Sequence, residues 1–309
     1  MEHIYDVIVI GGGPGGYAAA LYSTRAGLDT LVLEKLSAGG QLALTEWIDN
    51  YPGYENGIDG FTLSERMELG AQRFGAKTVA AEVLSVQLDG KTKRIETDAG
   101  IFLGRTVILA TGAVPRELGL PGEKELRGHG VSYCAACDGM FFKGKTVAVV
   151  GGGNTAAADA LLLSRICEKV LLIHRRGTLR ATKIYHTPLL QASNVSFYWN
   201  SGISALLYGK ALDGVKVKDL ATGVETPLAC DGLFISIGRK PATELVRDQL
   251  ELDPGGYVVA DESTRTSLPG VYAVGDVRTK ALRQVVTAVA DGAVAAHYAE
   301  EYLTAEQAE

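Results

Sequence analysis

The chain has 309 residues, 47% hydrophobic and 21% charged, with a formal net charge of −6. That length favours two domains, each with its own core, and the acidic balance argues against a nucleic-acid surface. No run of about 18 apolar residues offers a membrane span. Glycine is the outlier, with 38 residues where roughly 7% is usual. The glycines cluster as "GGGPGG", "AGGQ" and "GGGN" without a collagen-like period, a pattern of backbone pressed against ligands.

The chain opens "MEHIYDVIVIGGG". It lacks a basic leader and runs straight into a strand, so it does not read as a signal peptide. Four cysteines in this length make no disulfide scaffold, and a cytoplasmic protein is expected.

Residues 5–10, "YDVIVI", form an apolar β-branched run that stops at "GGGPGG". An alanine-rich helical stretch follows and closes at Gly27, and residues 29–35, "DTLVLEK", give the next strand. This is a strand–turn–helix–strand unit. Gly11, Gly13 and Gly16 fill the three positions of a dinucleotide fingerprint, with Glu34 at the end of the second strand. In that arrangement the first glycine makes the turn and the second lets a pyrophosphate approach. The third lets helix and strand pack, and the acidic side chain takes an adenosine ribose. A carboxylate there repels a 2′-phosphate, so this loop is expected to hold FAD or NAD and not NADP.

The pattern returns at residues 145–150, "KTVAVV", which run into "GGGN", a helix and "VLLIHRR". The second loop reads Gly151-x-Gly153-x-x-Ala156, with Asn154 and Thr155 opening its helix. At the end of its second strand the acidic position gives way to "HRRGTLRA", His174 to Ala181. Arg175, Arg176 and Arg180 are three cations where a 2′-phosphate would sit, and arginine suits bidentate phosphate contact. This loop is assigned to NADPH. Each half closes with a strand, a glycine turn and a proline: "RTVILATGAVP" at 105–115 and "DGLFISIGRKP" at 231–241. The chain therefore holds two related α/β halves. A tail from residue 242 adds the strand "GVYAVGDV" and a long helix. Two dinucleotides of different type imply a relay, in which a reduced nicotinamide feeds a bound flavin.

"CAACDG" places Cys134 and Cys137 two residues apart, with Asp138 after them. Such a pair fits half of a metal site, a structural disulfide or a redox dithiol. Zinc needs four ligands, and only Cys167, Cys230 and scattered histidines could complete the set. A disulfide closing so short a loop adds little stability. A redox dithiol beside a flavin electron source is the favoured reading.

Taken together, the chain resembles the low-molecular-weight thioredoxin reductases of the pyridine nucleotide-disulfide oxidoreductase family. The likeness runs nearly end to end through "GGGPGG", "GGQL", "DNYPG", "ATG", "CAACDG", "GGGNTA", "HRRGTLRA" and "GVYAVGDV" followed by "RQ". Glutathione-reductase-like relatives carry their redox pair in the flavin domain, whereas here it lies just before the second nucleotide loop. The resemblance implies an α/β protein of two Rossmann-like three-layer domains, the second inserted in the first. Residues 1–114 and 243–309 would bind FAD, and 115–242 would bind NADPH and carry the CxxC. It further implies a homodimer, thioredoxin as protein substrate, and no nucleic-acid or membrane partner.

By the same resemblance, Gly11, Gly13, Pro14, Gly16, Glu34, Gln41, Leu42, Asn50, Thr111, Gly112, Asp276, Arg283 and Gln284 contact FAD. Gly151, Gly153, Asn154, Thr155, His174, Arg175, Arg176 and Arg180 take NADPH. Cys137 is the sulfur nearer the flavin, Cys134 attacks the protein substrate, and Asp138 donates or accepts the proton. Rotation of the inserted domain about connectors near Val114-Pro115 and Pro241–Thr243 is implied as well. Two departures stand out. Ala158 and Asp159 replace a common Glu-Glu pair. "AVADGAVAA" differs from the glycine- and cysteine-containing helix of relatives, where only a packing change is expected. Competing readings are a flavin dithiol oxidase, a ferredoxin-fed reductase, the flavin subunit of a peroxiredoxin system, and a non-enzymatic FAD module. "HRRGTLRA" argues against the first two.

Overall fold

A computed structural model describes residues 3–35, 38–43, 45 and 47–308. The chain divides into two compact units, residues 1–114 with 240–309 and residues 115–239. The return crossing thus lies at Arg239–Lys240, three residues before the sequence-based boundary.

The first unit begins with β1 (Ile4–Ile10), α1 (Pro14–Arg25) and β2 (Thr30–Glu34). It continues with α2 (Gly60–Gln72), β3 (Lys77–Ala80), β4 (Val83–Gln87), β5 (Lys93–Thr97), β6 (Gly100–Leu109) and β7 (Ala113–Pro115). Strands β3, β2, β1 and β6 are parallel neighbours in that order. The ten-residue β6 outruns the rest of the sheet. Its first half takes the antiparallel β4–β5 meander, and Val107–Leu109 pair with a strand from the chain's tail.

The inserted unit contains β8 (Val131–Ser132), α3 (Ala135–Asp138), β9 (Thr146–Val150), α4 (Asn154–Ser164), β10 (Lys169–Ile173), α5 (His186–Gln191) and β11 (Val195–Tyr198). After these come β12 (Ser201–Tyr208), β13 (Leu212–Asp219), β14 (Glu225–Ala229), β15 (Gly232–Ile235) and β16 (Arg239–Pro241). A parallel sheet runs β11-β10-β9-β15-β8, and β12-β13-β14 form a separate antiparallel meander. β7 and β16 pair as a two-stranded ribbon at the two chain crossings. The tail supplies β17 (Val271–Ala273) and α6 (Val285–Ala308) to the first unit.

The near-continuous apolar runs in these strands follow from burial on both faces. In the first unit, Ile8, Ile10, Leu31, Leu33, Val107 and Leu109 face the meander and the tail's loops, packing on Val86, Leu88, Ile95 and Val258. Val7, Val9, Val32 and Ile108 face α1 and α6, meeting Ala19, Ala20, Ala295, Ala299 and Leu303. The inserted unit repeats the plan. Val147, Val149, Val170 and Leu172 meet α4, while Ala148, Val150, Leu171 and Ile173 meet the β12–β14 meander. Each unit is a three-layer Rossmann-like sandwich, as the sequence led one to expect. No helix among the described residues is long and apolar enough to cross a membrane.

Candidate active site

In the first unit Gly11, Glu34, Thr111, Gly112 and Asp276 lie at or just past the carboxyl ends of parallel strands β1, β2, β6 and β17, where open α/β sheets place ligands. Gly11 follows β1 with φ +105°, and a Cβ there would lie 2.5 Å from the Ala110 carbonyl oxygen. A side chain is excluded on both counts. A Cβ on Gly16 would strike the Gly11 carbonyl oxygen. Gly13 caps α1 with no side-chain acceptor, Pro14 occupies the first turn, and nothing lies within 4 Å of a Cβ built on Gly13. Helix α2, by contrast, is capped by Asp59, which accepts the Thr62 N–H at 2.8 Å. The first-turn N–H groups of α1 therefore face an open cradle with no carboxylate of their own, which fits an anionic pyrophosphate.

Glu34 ends β2, and its carboxylate accepts the Gly12 N–H at 2.6 Å. Thr111 donates its hydroxyl to the Ala242 carbonyl at 2.7 Å, and Gly112 accepts the Ala242 N–H at 3.0 Å. Asn50 donates to the Gln284 side chain at 3.0 Å, joining two candidates 234 positions apart. Asp276 sits in the turn Gly275–Val277 just after β17. The Arg283 guanidinium lies 4.0 Å from the Tyr257 ring centre and donates to the Arg278 carbonyl at 3.1 Å. Gln41 is exposed in a turn, and Leu42 packs its side chain with Ile48, Ile58 and Leu63.

The inserted unit rebuilds the same turn. Gly151 has φ +147°, and its Cβ would strike the Ser236 carbonyl oxygen. Gly153 caps α4 without a side-chain acceptor and is open at its Cβ position. Asn154 accepts the Thr182 N–H at 2.7 Å, Arg180 donates its N–H to Gly152 at 2.7 Å, and Thr155 is exposed in the first turn. "HRRGTLRA" is thus folded back over the glycine loop. Arg175, Arg176 and Arg180 are exposed, while His174 is buried with its ring over Gly152. Burial lowers the His174 pKa, and Arg180, Arg175 and Arg176 lower it further. The imidazole is a neutral wall, and the arginines carry the charge. A three-cation surface beside an uncapped helix start fits a nucleotide with an extra phosphate.

Cys134 and Cys137 are joined as a disulfide, both half-buried, at the start of α3. Ser132 organises them. Its hydroxyl donates to Asp138 at 2.6 Å and accepts the Cys134 N–H at 3.1 Å. The adjacent Tyr133 donates to Glu123 at 2.7 Å, and Glu123 also gathers the N–H groups of Leu118, Gly119 and Leu120. Sequence reading missed Ser132 and Glu123, and only the position of Ser132 two residues before the first cysteine could have hinted at it. Cys167 and Cys230 are buried, and burial pushes their thiols up to about 11 and about 12.

Asp291, within "AVADGAVAA", is buried and pairs with Arg278 and Lys280 at 2.8 and 2.7 Å.

These two cradles and the disulfide agree with comparison to known proteins. Residues 5–292 match the family model of the pyridine nucleotide-disulphide oxidoreductases. The chain belongs to that family. It is 45% identical to the thioredoxin reductase of Treponema pallidum (strain Nichols) over 98% of each chain. It is 43% identical to that of Peptoclostridium acidaminophilum over 99% of each. The solved thioredoxin reductase from Streptococcus pyogenes MGAS5005 superposes with a TM-score of 0.91 at 38% identity, covering 99% of this chain and 100% of that one. The chain is an oxidoreductase of this family, whose thioredoxin reductases use FAD and NADPH.

Proposed function

We propose that the chain is an NADPH-dependent thioredoxin-disulfide reductase. The observation that carries this is the Cys134–Cys137 disulfide, held by Ser132 and Asp138 in the same unit as the arginine-flanked glycine loop. FAD would lie on Gly11–Gly16, Glu34, Asn50, Thr111, Gly112, Asp276, Arg283 and Gln284, and NADPH on Gly151–Thr155 with Arg175, Arg176 and Arg180. The bound flavin supplies two-electron transfer from the nicotinamide to the disulfide, chemistry the side chains lack.

The chain's own residues do the rest. In the dithiol form, Cys134 as thiolate attacks one sulfur of oxidised thioredoxin, and the displaced thioredoxin sulfur leaves as a thiolate and is protonated. Cys137 then attacks Cys134 in the mixed disulfide. The Cys134–Cys137 bond reforms, and the second thioredoxin thiolate is released. Asp138, fixed by the Ser132 hydroxyl, exchanges protons with the sulfurs as they gain and lose charge. Asp138→Asn is expected to slow reduction of thioredoxin by about 100-fold, and unchanged turnover would remove its role. The protein would work as a cytoplasmic homodimer, a state that sedimentation checks. The inserted unit would rotate about the β7–β16 ribbon, and cross-linking the two units should stop turnover while FAD stays bound.

The deciding experiment is anaerobic titration with NADPH and, in parallel, NADH, following flavin absorbance. Bleaching by NADPH that consumes one extra two-electron equivalent, lost in Cys137→Ser, is the expected result. Absence of bleaching with either nucleotide would transfer the assignment to an oxidase or a ferredoxin-fed enzyme.

A further inference from the structure

The tail of the first unit carries a buried charge cluster that the reaction above does not use. Asp291, on the second turn of α6, accepts the Arg278 guanidinium in a fork, Nε at 2.9 Å and an Nη at 2.8 Å. The same carboxylate takes the Lys280 ammonium at 2.7 Å and the backbone N–H of Gly275 at 2.8 Å. The three side chains are 3, 6 and 8% exposed for Arg278, Lys280 and Asp291. Counting only these three described side chains, one carboxylate against two cations leaves the triad one excess positive charge in a dry environment, where charge is costly unless a counter-charge answers it.

The location suggests what answers it. Gly275 precedes Asp276 in the turn after β17. A Cβ on Gly15 would lie 3.1 Å from the Ala288 carbonyl oxygen and 3.6 Å from the Gly275 nitrogen. A Cβ on Gly292, next to Asp291, would strike the Gly15 carbonyl oxygen. The first turn of α1, the Asp276 turn and the first two turns of α6 therefore meet at one point. The triad pins that junction from behind, since Arg278 also donates to the Ala260 carbonyl at 3.3 Å and Lys280 to that of Thr287 at 3.2 Å.

We propose that Asp291, with Arg278 and Lys280, is a positioning group for the flavin site, and that its excess positive charge stabilises negative charge held there. Asp291 fixes the Gly275–Asp276 turn against α1 through the Gly275 N–H. The unbalanced cation acts through the low-dielectric junction, where a fixed charge is weakly screened. Reduced flavin carries more negative charge than oxidised flavin, so the triad raises the flavin's reduction potential. The inference rests on the reading that the first unit binds FAD.

The test is a charge series in the holoenzyme. Lys280→Met gives a net charge of zero, and Asp291→Asn gives plus two. The double variant returns to plus one while Asn keeps an oxygen for the Gly275 N–H. Flavin midpoint potential is measured by equilibration with a reference dye, alongside the FAD dissociation constant and thermal stability. The expected potential rises in the order Lys280→Met, wild type with the double variant, Asp291→Asn. Each step is on the order of tenfold in the reduction equilibrium, about 30 mV for two electrons. A flat potential across the series, with FAD loss tracking stability alone, would reduce the triad to a structural ion cluster and overturn the proposal. Should Asp291→Asn not fold, the difference between Lys280→Met and wild type decides. If wild-type protein neither retains nor takes up FAD, the flavin reading itself fails and the inference falls with it.

Discussion

The two glycine loops are the same device with one part exchanged. Gly11 and Gly151 both accept a positive φ and both crowd a carbonyl oxygen of the neighbouring strand's end. Their N–H groups bond Leu33 and Ile173 at 2.9 and 3.0 Å. Over the middle glycine, the first loop sets the Glu34 carboxylate and the second sets the His174 ring. Glu34 and His174 stand at the same distance in sequence from their first glycines. A charged acceptor closes one loop, and a neutral wall followed by Arg175 and Arg176 closes the other. On the proposed reading, the backbone of each loop would cradle an anion, and the residues at and just after the end of the second strand would decide which nucleotide it suits.

The largest effect should come from the third small residue, where the loops differ in size. Gly16 stands where the second loop has Ala156. Gly16→Ala drives a methyl into the Gly11 carbonyl oxygen, and loss of bound FAD together with soluble protein is expected. The mirror change, Ala156→Gly, should keep both and cost only about 1 kcal/mol of helix stability. Expression, flavin content and thermal melting compare the two. Equal tolerance would mean that the first loop has room for a methyl at Gly16 after all.

Next comes the basic segment. Replacing Arg175, Arg176 and Arg180 by Gln should raise the KM for NADPH at least tenfold for each arginine that bonds the phosphate, given about 1.5–3 kcal/mol for a charged hydrogen bond. The NADH kcat/KM should hardly move. Parallel losses with both nucleotides would show that the arginines shape the loop and do not select the phosphate. A smaller effect belongs to Glu34→Gln. It keeps an oxygen for the Gly12 N–H but loses the charge, and FAD affinity should fall by about fivefold, the difference between charged and neutral acceptors.

The repeat, the fingerprints and both strand-helix units were legible because they are local, with offsets fixed by the length of one helix and one strand. The flavin-side constellation was legible only through family likeness. No pattern in one sequence joins Asn50 to Gln284, and their hydrogen bond exists because the tail folds back onto the first unit. Ser132 and Glu123 escaped notice because a serine and a glutamate in a loop are common, and their role comes from convergence of backbone N–H groups. The pairing of Asp291 is hidden for a related reason, since its two cations lie 13 and 11 positions earlier and only the fold brings them onto it.

The finest difference between the loops is Asp159, on α4 of the second, whose carboxylate accepts the Ser236 hydroxyl at 2.5 Å. Burial raises its pKa, only partly opposed by Ser236 and Arg239. The first loop's helix has Ala19 at the matching place. A carboxyl whose folded pKa is raised lends stability that is fully present below its unfolded value, about 3.9. That stability is lost as pH climbs through the folded value. Asp159→Asn keeps an oxygen for Ser236 and removes the titration. The variant should match wild type in stability at acid pH and exceed it at pH 8, within about 1 kcal/mol. Urea melts at the two pH values measure this. A constant gap between the proteins would mean that the Asp159 pKa is the same folded and unfolded, with Ser236 and Arg239 offsetting its burial.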